Sequence, residues 1–194
     1  MKQHITAIIP CFNEEKSIKD IVSKVKKYCD NIIIIDDASS DKSPEILESI
    51  KDDSNINVSV FRNNKNKGIG FSVKRGLYEA LKLKTDIIIK IDGDGQHLPE
   101  DIPIFLDKIN NENFDFVKGN RFLLKKNLKN MPFKKLLGNL IVTNLQKLIS
   151  GNYFISDPNN GFLAFKSEIF DAIDIELLQN NYFFENSLLI SASA

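Results

Sequence analysis

The chain has 194 residues, 42% of them hydrophobic, with 26 basic against 26 acidic residues and a formal net charge of zero. That size and apolar fraction suit one domain over residues 1–194 with a substantial core, and they exclude a fibrous or disordered chain. Balanced charge gives no reason to propose nucleic acid as a partner, and no stretch approaches the roughly 20 apolar residues that a membrane-spanning helix needs.

Apolar strands alternate with helical patterns from the start, which predicts parallel βαβ units in an α/β fold. Ile5 to Ile9 reads as the first strand. Asn13 is placed to cap a helix with Glu14 and Glu15 in its first turn and Ile18, Ile21, Val22 and Val25 on its buried stripe. Ile32 to Ile35 reads as a second buried strand, and Ser43-Pro44 opens a helix with Ile46, Leu47 and Ile50 inward. Val58 to Phe61 gives a third strand, followed by a Gly-punctuated loop and a helix carrying Val73, Leu77, Ala80 and Leu81. Asp86 to Ile91 is the fourth strand, then a helix from about Pro99 to Ile109 and a short strand at Phe114 to Val117. Helical spacing returns from Phe133 to Ile149, Gly161 to Phe165 reads as a further strand, and an apolar segment runs from Phe183 to Ile190.

Cys11 and Cys29 have neither disulfide-framework nor metal-site spacing, and the first residues do not read as a signal peptide, so the expected compartment is a reducing cytoplasm. Charge is unevenly spread. No acidic residue lies between Asp115 and Asp157, where Lys118, Arg121, Lys125, Lys126, Lys129, Lys134, Lys135 and Lys147 all fall.

The run Asp92-Gly93-Asp94-Gly95-Gln96 directly follows the isoleucine-rich fourth strand. A strand buried on both faces delivers the two carboxylates to the carboxyl edge of a sheet, where open α/β folds bind ligands. Two carboxylates so close repel, and a divalent cation would neutralise them; oxygen ligands favour Mg2+ or Mn2+. A solvated Gly-Asp turn is the plain alternative for this pentapeptide alone. Two further loops, Pro10-Cys11-Phe12-Asn13-Glu14 and Asp36-Asp37-Ala38-Ser39-Ser40-Asp41, also follow strands and carry carboxylates, so three acidic loops are expected at one edge.

In this order the loops resemble the glycosyltransferase family 2 nucleotide-sugar transferases, in particular the branch similar to dolichyl-phosphate mannose synthase. The family's P-x-[YF]-N-E stands here as Pro10 to Glu14, its D-D-x-S-x-D as Asp36 to Asp41, and its D-x-D-x-Q-H-x-P-E as Asp92, Asp94, Gln96, His97, Pro99 and Glu100. Asn66-Lys67-Gly68-Ile69-Gly70 with Gly76, Gly119-Asn120-Arg121, and Asp157-Pro158-Asn159-Asn160-Gly161-Phe162 continue the match over nearly the whole chain. Leu163 stands where close relatives commonly carry Arg.

The resemblance implies a GT-A (Rossmann-like) fold and an inverting transfer of a sugar from a GDP- or UDP-sugar to a polyprenyl phosphate. It implies that Pro10, Phe12, Glu14, Asp37 and Asp92 contact the donor nucleotide, that Asp37 accepts from a base N–H, and that Asp92, Asp94 and Gln96 hold Mg2+ or Mn2+ against the diphosphate. Asp94, Arg121 and Asp157 are the expected catalytic residues, and Arg121, Lys125 and Lys126 suit the acceptor phosphate, because Arg holds phosphate bidentately and lysines act as point charges. The basic run before and within the Phe133 to Ile149 helix is expected to touch anionic headgroups, placing the protein at the cytoplasmic face of a membrane as a peripheral component. Relatives usually continue past the point where this chain stops, so part of the usual C-terminal region is expected to be missing. Two alternatives stand beside this reading: transfer to a saccharide hydroxyl with Asp157 as general base, and a catalytically silent nucleotide-sugar binding module. A sugar nucleotidyltransferase would place a Gly-rich basic loop after the first strand, where this chain has Pro10 to Glu14.

Overall fold

The β-branched runs of the sequence become the strands of one sheet, in a computed structural model that describes residues 3–51, 57–120, 157 and 160–193. Strands β1 (Ile5–Cys11), β2 (Asn31–Asp36), β3 (Val58–Arg62) and β4 (Ile87–Lys90) are joined to β5 (Phe116–Lys118) and β6 (Leu163–Lys166) in the order β3-β2-β1-β4-β6-β5. The first four are mutually parallel, and β6 runs antiparallel to both β4 and β5. The predicted mostly parallel α/β sheet is therefore what forms.

Both faces of the sheet are covered, which is why its central strands read as unbroken isoleucine rather than as alternation. On one face Ala7, Ile9, Ile32, Ile34, Ile87 and Ile89 pack against α1 (Ile18–Val25), α2 (Ser43–Lys51) and α4 (Ile102–Asn110). On the other, Ile8, Ile33, Ile35 and Ile88 meet Val73, Leu77 and Ala80 of α3 (Ile69–Lys82) and Phe184 and Leu188 of α5 (Phe184–Ser193). Register is fixed by the ladder, with Ile8 opposite Ile33 and Ile9 opposite Ile34. A one-residue slip would exchange the two faces of the core.

Several boundaries differ from expectation. Helix α1 begins at Ile18, not beside Asn13, because Asn13 adopts a left-handed φ of 58° and its side chain serves another loop. Strand β6 starts at Leu163, and β5 spans Phe116–Lys118. The helix expected over Phe133 to Ile149 lies outside the described residues.

Strand order reverses at β1: the chain moves outward through β2 and β3, then returns to place β4 on the other side of β1. Loops leaving the carboxyl ends of β1 and β4 diverge at such a point and open a crevice.

Helix α3 lies close enough to β1 that a methyl group at Gly76 would collide with Cγ2 of Ile8. Gly76→Ala gains about 1 kcal/mol of helix propensity, but overpacking a rigid core costs about 1–3 kcal/mol. Urea unfolding is expected to show a net loss of stability of up to about 2 kcal/mol for Gly76→Ala.

Candidate active site

The crevice is a cavity of about 990 Å³, with Pro10, Phe12 and Glu14 from the loop after β1, Asp37 from the loop after β2, and Asp92, Asp94, Gln96 and His97 from the loop after β4 in its walls. Gly68 at the head of α3, Gly161, and a segment carrying Tyr182, Phe183 and Glu185 complete it.

Short hydroxyl and carboxylate side chains lock the loops together. Asn13 accepts the N–H of Ser40 at 2.8 Å and donates its own N–H to Oγ of Ser39 at 2.9 Å. Ser43 Oγ accepts the N–H of Glu14 at 2.8 Å, and Asp41 accepts the N–H groups of Glu15 and Ser43. Ser17 occupies the N-cap position of α1 without capping it; its hydroxyl donates instead to the carbonyl of Gly93 at 2.7 Å, tying the first loop to the fourth. Ala38 in the second loop sits at φ 62°, a left-handed conformation that costs a non-glycine residue roughly 1–2 kcal/mol.

Asp37 is buried at the floor, where it accepts from the backbone N–H groups of Lys67 and Gly68 and from Nδ2 of Asn63. Its first duty is to shape the Gly-rich loop, in which Gly68 has φ 91°. A carboxylate has about four acceptor positions, so these three N–H donors leave capacity toward the cavity.

Asp92 is held at both oxygens. Oδ1 lies 2.6 Å from Nζ of Lys90, and Oδ2 lies 3.4 Å from Nε2 of His97. Burial alone would raise its pKa, but the Lys90 ammonium and the His97 contact outweigh burial and hold it well below the ordinary carboxylate range. Asp94 is half-buried and accepts the N–H of Gln96 at 2.9 Å. Glu14 is pushed the other way: burial first, then the charges of Asp94, Asp41 and Asp92, raise its carboxyl above the usual value of 4.5 despite a hydrogen bond from Ser17.

The carboxylates of Glu14, Asp92 and Asp94, of which Asp92 is paired with Lys90, fit a divalent cation. Among the described residues no three His, Cys, Asp or Glu side chains converge closely enough to hold a metal unaided. An ion such as Mg2+ binds through one or two carboxylates and completes its shell with substrate phosphates and water, and the oxygen donors Asp92, Asp94 and Gln96 line this cavity.

The residues that the sequence assigns to donor and metal, Pro10, Phe12, Glu14, Asp37, Asp92, Asp94 and Gln96, are thus brought to one cavity. Asp157 is buried, hydrogen bonded by Asn160 at 3.3 Å, and is not among the residues of the cavity wall. Arg121, Lys125 and Lys126 lie outside the described residues.

The family model described as Glycosyl transferase family 2 matches residues 6–174. The chain belongs to this family. A UDP-N-acetylglucosamine–dolichyl-phosphate N-acetylglucosaminyltransferase from Methanococcus voltae is 34% identical over 190 residues, spanning 92% of this chain and 75% of that protein. A dolichol-phosphate mannosyltransferase from Pyrococcus furiosus is 28% identical over 176 residues, spanning 88% of this chain and 48% of that protein. Among solved structures, glucosyl-3-phosphoglycerate synthase from Mycobacterium tuberculosis, in complex with Mn2+, UDP and glucosyl-3-phosphoglycerate, superposes with a TM-score of 0.68 at 18% identity over 96% of this chain and 64% of that one. At that identity the likeness is one of fold, and the fold is GT-A. The chain spans less than two thirds of that structure's length.

Sequence reasoning on this family 2 glycosyltransferase missed the cavity wall from Asn181 to Asn186, which follows the span of the family model. It also missed Lys90, although a single lysine within a run of isoleucines is a legible signal: a charge at a position that should be buried demands partners.

The raised Glu14 carboxyl yields a test of sign. A carboxyl that holds its proton more tightly when folded leaves stability intact at low pH and removes it as pH rises through the folded pKa. In metal-free protein Glu14→Gln is therefore expected to raise the thermal midpoint at neutral pH, with the gain vanishing below the ordinary value of 4.5. Differential scanning calorimetry under chelator at both ends of that range checks it.

Proposed function

We propose that this chain transfers a sugar from a nucleoside diphosphate sugar to a polyprenyl phosphate with inversion at the anomeric carbon. The observation that carries the reading is the pair Asp92 and Asp94, leaving a doubly buried strand and facing a cavity beside Glu14 and Asp37. Support for the acceptor class comes from the relatives, whose names specify dolichyl phosphate and dolichol phosphate.

In this reading Pro10, Phe12, Glu14 and Asp37 bind base and ribose, with the remaining acceptor capacity of Asp37 taking a base N–H. Asp92, Asp94 and Gln96 hold Mg2+ or Mn2+, as the oxygen-only donor set suits a hard cation. When bound, that ion supplies positive charge where the diphosphate leaving group becomes more anionic. A phosphate acceptor is already an anion near neutral pH, so its oxygen attacks the anomeric carbon as the glycosidic bond to the nucleoside diphosphate breaks, and no strong general base is required. Positioning of the acceptor falls to Arg121, Lys125 and Lys126, and orientation of the two substrates carries the rate.

Asp94, Arg121 and Asp157 are the catalytic residues of this reading, and Asp157 is held by Asn160, which also accepts the N–H of Phe162 at the base of β6. The lysines near residue 125 contact anionic headgroups, making the protein peripheral at a cytoplasmic membrane face. No helix among the described residues is long and apolar enough to cross a membrane.

Titration of UDP- and GDP-sugars is expected to show donor binding with Mn2+ that weakens sharply under chelator, and Asp94→Asn is expected to lose transfer by about 100-fold or more while unfolding near the wild-type midpoint. Equal donor affinity with and without chelator overturns the metal assignment. Labelled donor offered to polyprenyl phosphate and to free saccharides in parallel is expected to label the lipid, with Arg121→Ala impaired. Product on the saccharide alone overturns the acceptor assignment.

A further inference from the structure

Lys90 is entirely buried, on a strand whose other residues are isoleucines. An isolated ammonium there is untenable, because desolvating an unpaired charge costs far more than a side chain's packing returns. The chain supplies two partners: Asp92 Oδ1 at 2.6 Å, from the loop just above, and Glu185 Oε1 at 2.7 Å, from the first turn of α5 and itself 5% exposed. Burial would lower the lysine's pKa, but the two carboxylates raise it beyond its ordinary value, so the ammonium stays charged.

Gly161 packs against the same pair. A methyl group there would collide with Oδ2 of Asp92 and lie 2.7 Å from Nζ of Lys90. His97, whose ring lies 5.6 Å from that of Phe162, closes on Oδ2. Asp92 is thus fixed by a cation beneath it, a backbone wall beside it and an imidazole above it, while Asp94 two residues later has only the N–H of Gln96 among the hydrogen bonds seen.

We infer that Lys90, braced by Glu185, is a positioning residue that presets the Asp92 carboxylate for the divalent cation, so that α5 controls metal affinity without reaching the metal. The inference rests on the proposed function for the existence of the cation site. Partners that orient a metal ligand commonly set affinity by about 10–100-fold, and a preset carboxylate loses less freedom on binding than a mobile one. Lys90 also opposes the cation by charge alone, so positioning and charge must be separated.

Lys90→Met combined with Glu185→Leu does this. The wild-type triad of two carboxylates and one ammonium and the variant's lone Asp92 carry the same single negative charge. Apolar replacement of a buried pair such as Lys90–Glu185 is often neutral in itself, but Asp92 loses its ammonium and keeps His97 at 3.4 Å, so some stability is lost. Binding of Mn2+ alone, followed by electron paramagnetic resonance of the free ion, is expected to weaken by about tenfold or more in the double variant, with a lowered thermal midpoint but a cooperative unfolding transition. Gly161→Ala displaces the same carboxylate without altering any charge and is expected to weaken Mn2+ binding in the same direction, which keeps the test decisive if the double variant does not fold. Wild-type Mn2+ affinity in a folded double variant, or in Gly161→Ala if that is the one that folds, overturns the inference and leaves the proposed function standing. Failure of the wild-type chain itself to bind Mn2+, with or without UDP or GDP, overturns the cation site and this inference with it.

Discussion

A mostly parallel sheet covered by helices on both faces keeps water from its central strands, and the polar groups of the cavity are arranged around that constraint. Residues Ile32 to Ile35 and Ile87 to Ile89 are at most 1% exposed, so the strands themselves can carry no open chemistry. Carboxylates appear just past the ends of β1, β2 and β4, at Glu14, Asp37, Asp92 and Asp94. The crossing from β3 back to β4 sets the diverging pair of loops at β1 and β4, and the cavity occupies that divergence. Burial of the sheet and location of the site are therefore one fact with two descriptions.

The loops that frame the cavity are held by side chains that do little else. Ser17, Ser39 and Ser43 each cross from one loop to a backbone group of another, and Asn13 bridges two. Such bonds individually contribute about 1 kcal/mol. Collectively they keep mutually repelling carboxylates at fixed separations, and burial first, with that repulsion added, raises the pKa of Glu14. Stability is given up at this edge to hold charged groups in fixed positions, which is the usual direction of the exchange between stability and function.

How much of this was legible in the sequence follows from the range of each interaction. The isoleucine runs announced the buried strands because periodicity is a local property, and Asp92 and Asp94 announced the edge because they follow such a run directly. Asn13 was read as a helix cap because the same residue type serves caps and left-handed loop positions; only its partners Ser39 and Ser40, some 26 and 27 positions away, distinguish the two. Asp37 carried a functional expectation, yet its hold on Lys67 and Gly68, some 30 and 31 positions on, required coordinates. Glu185 gave no signal at all, since nothing near it in the chain marks a partner for a lysine 95 positions earlier.

That separation of 95 positions also bears on how the protein is made. Strands β1 to β4 and the loops that bear Glu14, Asp37, Asp92 and Asp94 leave the ribosome well before α5 does. Loop closure over so long a stretch comes late, since non-local contacts return free energy only after the intervening chain is ordered. Until residues 184–193 emerge and dock, Lys90 has Asp92 as a countercharge but lacks Glu185, and the side of the cavity formed by Tyr182, Phe183 and Glu185 is open. A nascent chain thus acquires strands β1 to β4 before this wall of the cavity, and until α5 docks, the acidic edge stands open on that side.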